Sequence, residues 1–442
     1  MQKKEHLPVS KPGFSEALRF WFKLGFISFG GPAGQISIMH EYLVVQKKWI
    51  SDGRFLHALN YCMILPGPEA QQLATYLGWL LHGVKGGIAA GLFFILPSVF
   101  ILLGSSLVYV YWGNVPAVMG LFEGLKPAVV AIILLALIKI GKKSLLGPVH
   151  YVIAILSFIS IFQFNLPFPL IIISTIIIGI LLRYFYPESL STGGQSSKKT
   201  EEDEASYYLN KFTIRDTGPL DFRTIFRQVS VYILIWAVPL VLFYFTHLKF
   251  DFWQKLTLFF TKSALVTFGG AYAVLPYVAQ VSVEKFHWLS STQMIDGLAL
   301  GETTPGPLIM VLAFVGFMAG YHHFGNSLLM GTVGLLTTTF YTFLPSFAFI
   351  LIGAPFIEKT RENVRLKEIL NLITASVFGV VLNLSIYLAK AVAFSPGNFT
   401  PNYPAIFWII ISFIALYRFK INMIVWIGIS AAAGLLYYFV RH

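Results

Sequence analysis

The chain predicts an all-α integral membrane protein of about thirteen transmembrane helices, arranged as two inverted-topology repeats with broken helices. Three observations point there. Hydrophobic residues fill 56% of the 442 positions and charged residues only 12%, about half the charged share of an ordinary soluble domain. Phe29-Gly30-Gly31 returns as Phe268-Gly269-Gly270, and Pro66-Gly67-Pro68 returns as Pro305-Gly306-Pro307, both at one offset of 239 residues. Each string interrupts an apolar stretch, and broken helices repeated between two halves point to a transporter binding site.

The same register pairs Lys23 with Lys262, Trp49 with Trp288, Ser51 with Ser290, Leu59 with Leu298 and Ala74 with Ala313. After an insertion near Tyr321 to Asn326 the match resumes where Leu96-Pro97-Ser98 meets Leu344-Pro345-Ser346. A bilayer core of about 30 Å takes roughly 20 apolar residues in a helix. On that measure the first repeat, 14–186, holds segments at about 14–31, 58–82, 86–112, 118–140, 148–163 and 168–186. A flexible cytoplasmic linker, 187–224, follows; it is rich in Ser, Gly, Lys and Glu and has no apolar period. A joining helix, 225–245, leads into the second repeat, 253–440, with segments at about 253–270, 296–320, 327–355, 369–391, 403–417 and 421–440. The first segment of each half is the most polar, carrying Glu16, Arg19 and Lys23 or Lys255 and Lys262. Residues 40–57 and 279–296 mix aromatic and charged side chains and suit interfacial helices, with Trp49 and Trp288 at headgroup depth.

Basic residues set the orientation. A cytoplasmic N-terminus places Lys142, Lys143, the linker, Lys359, Arg361, Arg365, Lys367, Arg418 and Lys420 inside, as the positive-inside rule asks. The stretch from Gln46 to Arg54, with Lys47, Lys48 and Arg54, is the misfit and falls outside. Turning the first segment of each half into a re-entrant hairpin brings that patch inside but sends Lys142 and Lys143 out, so straight spans are the expectation. Six spans plus one joining helix are an odd number, which inverts the second half. The net charge of +12 is spread in short runs between apolar segments, so it reads as a topology signal and not as a nucleic-acid surface. The lone Cys62 excludes a disulfide framework and reads as a small packing residue. No metal-ligand spacing stands out among the histidines, and no cofactor is expected. A nucleotide-binding loop of the Walker type is absent from the sequence, so ATP is not the direct driver.

The chemistry is expected at the breaks. Pro66 and Pro68 lack amide hydrogens, so carbonyls go free and a new half-helix can start near Pro68. Helix N-termini present N–H donors and positive potential, which suits a small oxyanion. Glu69, Gln71 and Gln72 follow immediately, and in the other half Glu302, Thr303 and Thr304 precede Pro305, Gly306 and Pro307. Ser28, Gly30 and Gly31 match Thr267, Gly269 and Gly270. Together these breaks are expected to enclose one central pocket for an anion. Carboxylates inside spans usually face a cavity or a partner, which makes Glu69, Glu302 and, nearer an interface, Glu41 the candidates for proton coupling. Lys23 and Lys262 are a matched pair of cations that either attract an anion or snorkel to the interface. Gly-Gly and Pro-Gly-Pro also occur purely as close-packing sites and kinks.

Read whole, the strings at 28–35 (Ser-Phe-Gly-Gly-Pro-Ala-Gly-Gln), 65–79 (Leu-Pro-Gly-Pro-Glu-Ala-Gln-Gln-Leu-Ala-Thr-Tyr-Leu-Gly-Trp), 268–276 (Phe-Gly-Gly-Ala-Tyr-Ala-Val-Leu-Pro) and 301–308 (Gly-Glu-Thr-Thr-Pro-Gly-Pro-Leu) resemble the chromate ion transporter family in its two-domain, long-chain form. The resemblance implies export of chromate from the bacterial cytoplasm through the plasma membrane, using the ion gradient. It also brings Gln35 into the site, where some members have histidine; others have alanine-glutamine in place of Glu302-Thr303. Sulfate, with the same charge and nearly the same shape, stays open as the substrate. From other classes, an anion channel or an integral-membrane enzyme stays open too, although no nucleophile with a base stands at membrane depth. The expected partners are the oxyanion and the lipid bilayer, with a homo-oligomer possible and no nucleic acid.

Overall fold

The computed structural model describes residues 11–29, 31–113, 115–185, 206–210, 222–359, 364–394 and 400–441, so Gly30 and most of the expected linker lie outside the described residues. Sixteen α-helices account for most of these residues. Helix α1 (Phe14–Ile27) buries Ala17, Phe20, Trp21 and Leu24, the i, i+3, i+4, i+7 stripe of an amphipathic helix. Its 14 residues reach about 21 Å, too short for a hydrocarbon core of about 30 Å. After Ser28 and Phe29 the chain comes back as α2 (Gly31–His40), which a π-helical turn, Glu41–Gln46, extends. Tyr42 stacks on Phe20 with ring centroids 4.0 Å apart, and Lys47 pairs with Glu16 at 2.7 Å. Both ends of this hairpin therefore lie at one end of the molecule.

A second hairpin follows. Ser51 caps α3 (Asp52–Cys62) by accepting from the Arg54 amide, and His40 meets Asp52 at 2.7 Å. Pro66-Gly67-Pro68 forms the tip, and α4 (Glu69–Trp112) begins immediately after it. The helical path of α4 reverses at His82 and Gly83 (φ 72°), giving two arms that pack with Gly78 against Gly86. His82 touches the Pro12 carbonyl at 2.9 Å, so the first arm ends where α1 begins. The segments expected as straight or interrupted spans at 14–31 and 58–82 are thus both hairpins dipping in from one end, and only the second arm of α4 runs the full length. Side-chain contacts between the arms correct the expectation here: an apolar stretch of span length does not say whether it continues or folds back.

The second half repeats the design. Helices α9 (Phe250–Leu265) and α10 (Ala271–Gln280) form a hairpin, with another π-helical turn at Val281–Lys285. Helix α11 (Ser291–Thr303) starts with a capping box between Ser290 and Gln293. A 3-10 turn, Leu308–Met310, leads into α12 (Val311–His323), and α13 (Leu328–Lys359) returns alongside it. Phe252 stacks on His323 at 4.3 Å, and Gln293 lies 3.3 Å from His322. The open ends of this pair meet at the other end of the molecule, because Tyr109, close to the far end of α4, donates to Asp296 on α11. The insertion seen in the sequence is the turn between α12 and α13, which the first half makes at His82–Gly83.

The remaining helices are α5 (Pro116–Ser144), α6 (Pro148–Phe162), α7 (Phe168–Phe185), α8 (Phe222–Thr246), α14 (Val364–Ala393), α15 (Tyr403–Tyr417) and α16 (Met423–Arg441). Proline at the first turns of α5, α6 and α15 starts them without losing a bond. The halves exchange partners: α5 packs through Gly124 on Ser430 and Gly434 of α16, and α14 through Gly379 on Ala154 and Phe158 of α6. Ser157 donates to Ser376 at 3.0 Å. Lys142 stands over the Tyr417 ring at 5.9 Å and Lys390 over Phe162 at 5.6 Å. Among the described residues, seven helices, α4, α5, α7, α8, α13, α14 and α16, contain stretches long and apolar enough to cross a membrane, with α6, α12 and α15 shorter. The chain is an all-α, multi-pass membrane protein.

Within the expected linker, residues 206–210 are described, and they are held: Leu209 N–H donates to the Trp49 carbonyl (2.9 Å) and Ser51 N–H to the Leu209 carbonyl (2.8 Å). Leu209 is buried against the first hairpins, so this part of 187–224 is pinned to them.

Candidate functional site

The tips of the hairpins meet in the middle of the molecule. Gly67 N–H donates to the Thr267 carbonyl at 2.7 Å, and Gly306 N–H donates to the Ser28 carbonyl at 2.8 Å. Each Pro-Gly-Pro tip is therefore bonded to the turn of the opposite half. The rest of the broken ladder is satisfied by side chains. Gln72 Nε2 donates to the Pro66 carbonyl (2.7 Å), Gln35 Nε2 to the Gly306 carbonyl (2.6 Å) and Ser98 Oγ to the Pro305 carbonyl (2.5 Å). Ser28 and Thr267 hydroxyls turn back onto Leu24 and Ser263 carbonyls. The Gly67 and Gly306 amides, expected among the free donors, are taken.

The free donors lie one step further along. At the start of α4 the amides of Glu69, Ala70 and Gln71 have no intrahelical partner by position, and α10 begins beside them. The Glu69 carboxylate lies against Gly270: a Cβ placed there would be 3.8 Å from Glu69 Oε1. Tyr272, in the first turn of α10, donates to Glu302 Oε1 at 2.9 Å. Glu69, Gly270, Tyr272 and Glu302 thus share one neighbourhood between two helix N-termini. Beside Gly67, the buried Gln72 Oε1 and Ser346 Oγ have no hydrogen-bond partner among the described residues, nor has Gln71 Oε1 one residue before Gln72. The two glutamine oxygens are acceptors, so the Ser346 hydroxyl is the free donor of the three.

The other expected residues sort by position. Pro66, Pro68, Pro305 and Pro307 are buried at the tips, and Gly31 and Gly269 lie half-buried in the turns. Gln71 Nε2 donates to Thr75 Oγ1, while Thr303 and Thr304 hydroxyls bond the Leu300 carbonyl. Lys23, Lys262 and Glu41 are exposed on the outer faces of α1, α9 and the first π-helical turn, so the structure does not bring them to the breaks. Gly30 falls outside the described residues. Sequence reasoning passed over Tyr272 and the matched serines Ser98 and Ser346, although the repeat that carries Leu-Pro-Ser twice was in view. It also read Lys143 only as a topology signal, whereas its amine reaches Met63 Sδ at 3.6 Å, just before the first tip.

Two halves with broken, hairpinned helices that interlock around a polar centre define the class: a secondary transporter of the duplicated, broken-helix kind. The chromate transporter family model matches residues 15–180 and 254–435, one stretch in each half, and the chain belongs to this family. It is 31% identical to a chromate transport protein of Pseudomonas aeruginosa, over 97% of this chain and 92% of that protein. It is 26% identical to a chromate transport protein of Cupriavidus metallidurans, over 85% of this chain and 82% of that one. An uncharacterised transporter of Methanocaldococcus jannaschii is 28% identical over 94% of this chain and 92% of its own length. No solved structure matches. The protein is a membrane transporter of oxyanions and not an enzyme.

Proposed function

We propose that this protein exports chromate across the bacterial plasma membrane by alternating access, the substrate resting between the hairpin tips. The carrying observation is the free N–H end of α4, at Glu69, Ala70 and Gln71, with the buried, unpartnered Ser346 hydroxyl beside the Gly67 tip before it. A tetrahedral dianion can accept from those helix-end amides and that hydroxyl. The names of the Pseudomonas and Cupriavidus relatives support chromate over other oxyanions. Export of a dianion from a negative cytoplasm gains about 4.6 kcal/mol per 100 mV, twice the single-charge value, so the potential alone favours this direction.

In this reading the units are 14–186, 187–224, 225–245 and 253–440, with the second inverted relative to the first. Both first-half hairpins open to the cytoplasm and both second-half hairpins to the outside. Two returns per half leave the parity of the later spans untouched. Lys47, Lys48 and Arg54 then join Lys142 and Lys143 on the cytoplasmic side, which supports the arrangement through the positive-inside rule. Alternating access follows when one pair of hairpins rocks against the other and exposes the tips to each side in turn.

The test is uptake into inside-out vesicles offered chromate, sulfate or molybdate under imposed potential and pH gradients. Saturable chromate uptake, outcompeting sulfate and enhanced by an interior-positive potential, is the expected result. Sulfate uptake unaffected by chromate would reassign the substrate, and flux that does not saturate would mean a channel.

A further inference from the structure

A membrane-embedded charge cluster lies outside the central site. Asp296 on α11 is buried, 5% exposed, with Lys126 Nζ of α5 at 3.0 Å from one carboxylate oxygen. The Tyr109 hydroxyl of α4 donates to the other at 2.8 Å. The Tyr109 ring packs edge-on against Phe122 (5.5 Å) and Phe314 (5.4 Å), so the donors sit in apolar surroundings where charge interactions are strong. Lys126 is 24% exposed and Asp296 5%, so the lysine is the less enclosed of the pair. Elsewhere along α11, Gln293 faces His322 of α12 and Ser291 accepts from Tyr387 of α14, one to two turns toward the outer end.

Three features point beyond a brace. The carboxylate belongs to the second half and both donors to the first, so the pair spans the surfaces that must slide. Asp296 rides on the arm that carries Glu302 and the second Pro-Gly-Pro tip. The duplication also does not repeat it: the positions matching Asp296, Lys126 and Tyr109 hold His57, Thr374 and Ile357, and Thr374 simply bonds the Leu370 carbonyl. A brace the fold needed for packing would be expected in both halves.

We infer that Lys126 and Tyr109 form an outer oxyanion subsite, occupied in this conformation by the Asp296 carboxylate as a built-in stand-in for the substrate. The subsite rests on the transport reading and extends it. An ammonium and a hydroxyl converging on two carboxylate oxygens present the donors that two oxygens of a tetrahedral dianion require. When the second-half hairpin swings, the Asp296 carboxylate leaves and the departing anion takes its place. Return of Asp296 then expels the anion outward, since a carboxylate and a dianion cannot share one lysine without repulsion.

The test uses the full-length protein in liposomes, with chromate offered from the external or the cytoplasmic face. Lys126→Met should raise half-saturation for external chromate about tenfold, the equivalent of about 1.4 kcal/mol, and leave the cytoplasmic-face value unchanged. Tyr109→Phe should move it the same way by less. Asp296→Asn, which removes the stand-in, should lower external half-saturation while slowing net export. Removing one member of a buried pair strands the other, so the double variant Asp296→Asn, Lys126→Met decides the matter if a single one fails to fold. Weaker external affinity in the double variant than in Asp296→Asn alone supports the subsite. Equal external half-saturation in those two variants overturns it and leaves a brace. A wild-type protein that moves no oxyanion would instead sink the transport reading itself.

Discussion

Gly67 and Gly306 hold φ at 131° and 102°, a region costing other residues about 1–3 kcal/mol. A Cβ at Gly67 would overlap Ser346 Oγ and Gln72 Nε2, and one at Gly306 would overlap Ser98 Oγ. Gly67→Ala and Gly306→Ala should therefore each lower chromate flux at least about tenfold, the effect of about 1.4 kcal/mol. Flux normalised to inserted protein checks this; unchanged flux would mean the tips serve packing alone. Glu69→Gln exchanges a titratable charge for an amide beside Gly270, so it should keep substrate binding and flatten the pH profile of transport. A wild-type profile in the glutamine variant would shift attention to Glu302. The breaks themselves were legible from two repeated tripeptides. Tyr272 was not, because a tyrosine in an apolar run carries no local mark of the Glu302 it meets.

At the scale of elements, the apolar runs were legible and their direction was not. A run of 25 residues reads alike whether it crosses once or is two short arms about a tip, since both bury the same kinds of residue. The clue lay in the misplaced Lys47, Lys48 and Arg54. One return per half exchanges one misfit for another at Lys142 and Lys143, whereas two returns remove both. Cysteine tags in a Cys62→Ala background separate the cases. Gln46→Cys should react with an impermeant reagent from the same side as Lys142→Cys, and Asn326→Cys from the opposite side. Reaction of Gln46→Cys and Asn326→Cys from one side would restore the straight spans.

Across the whole molecule, the duplication announced two halves but hid their exchange of helices, because identity between repeats says nothing about which copy a helix touches. Helix α5 is clasped by α16, and α14 by α6. The ion pair Arg183–Glu368 ties α7 to α14 in the same crossed sense. Neither half should therefore reach its native packing alone. Cutting the chain at Ser196 and expressing the pieces separately should give little stable protein, whereas co-expression should restore chromate flux. Stable protein from a single half would show that the exchange is dispensable.

Under the proposed alternating access, the crossed bonds from Gly67 to Thr267 and from Gly306 to Ser28 would act as two separate latches. One latch could part while the other holds. A passage open at both ends would need both bonds broken at once, with four buried backbone groups left bare in the middle of a bilayer. In the proposed cycle, that penalty would deny protons and small ions a continuous path. A cell could then keep such a carrier in its membrane without short-circuiting its ion gradients.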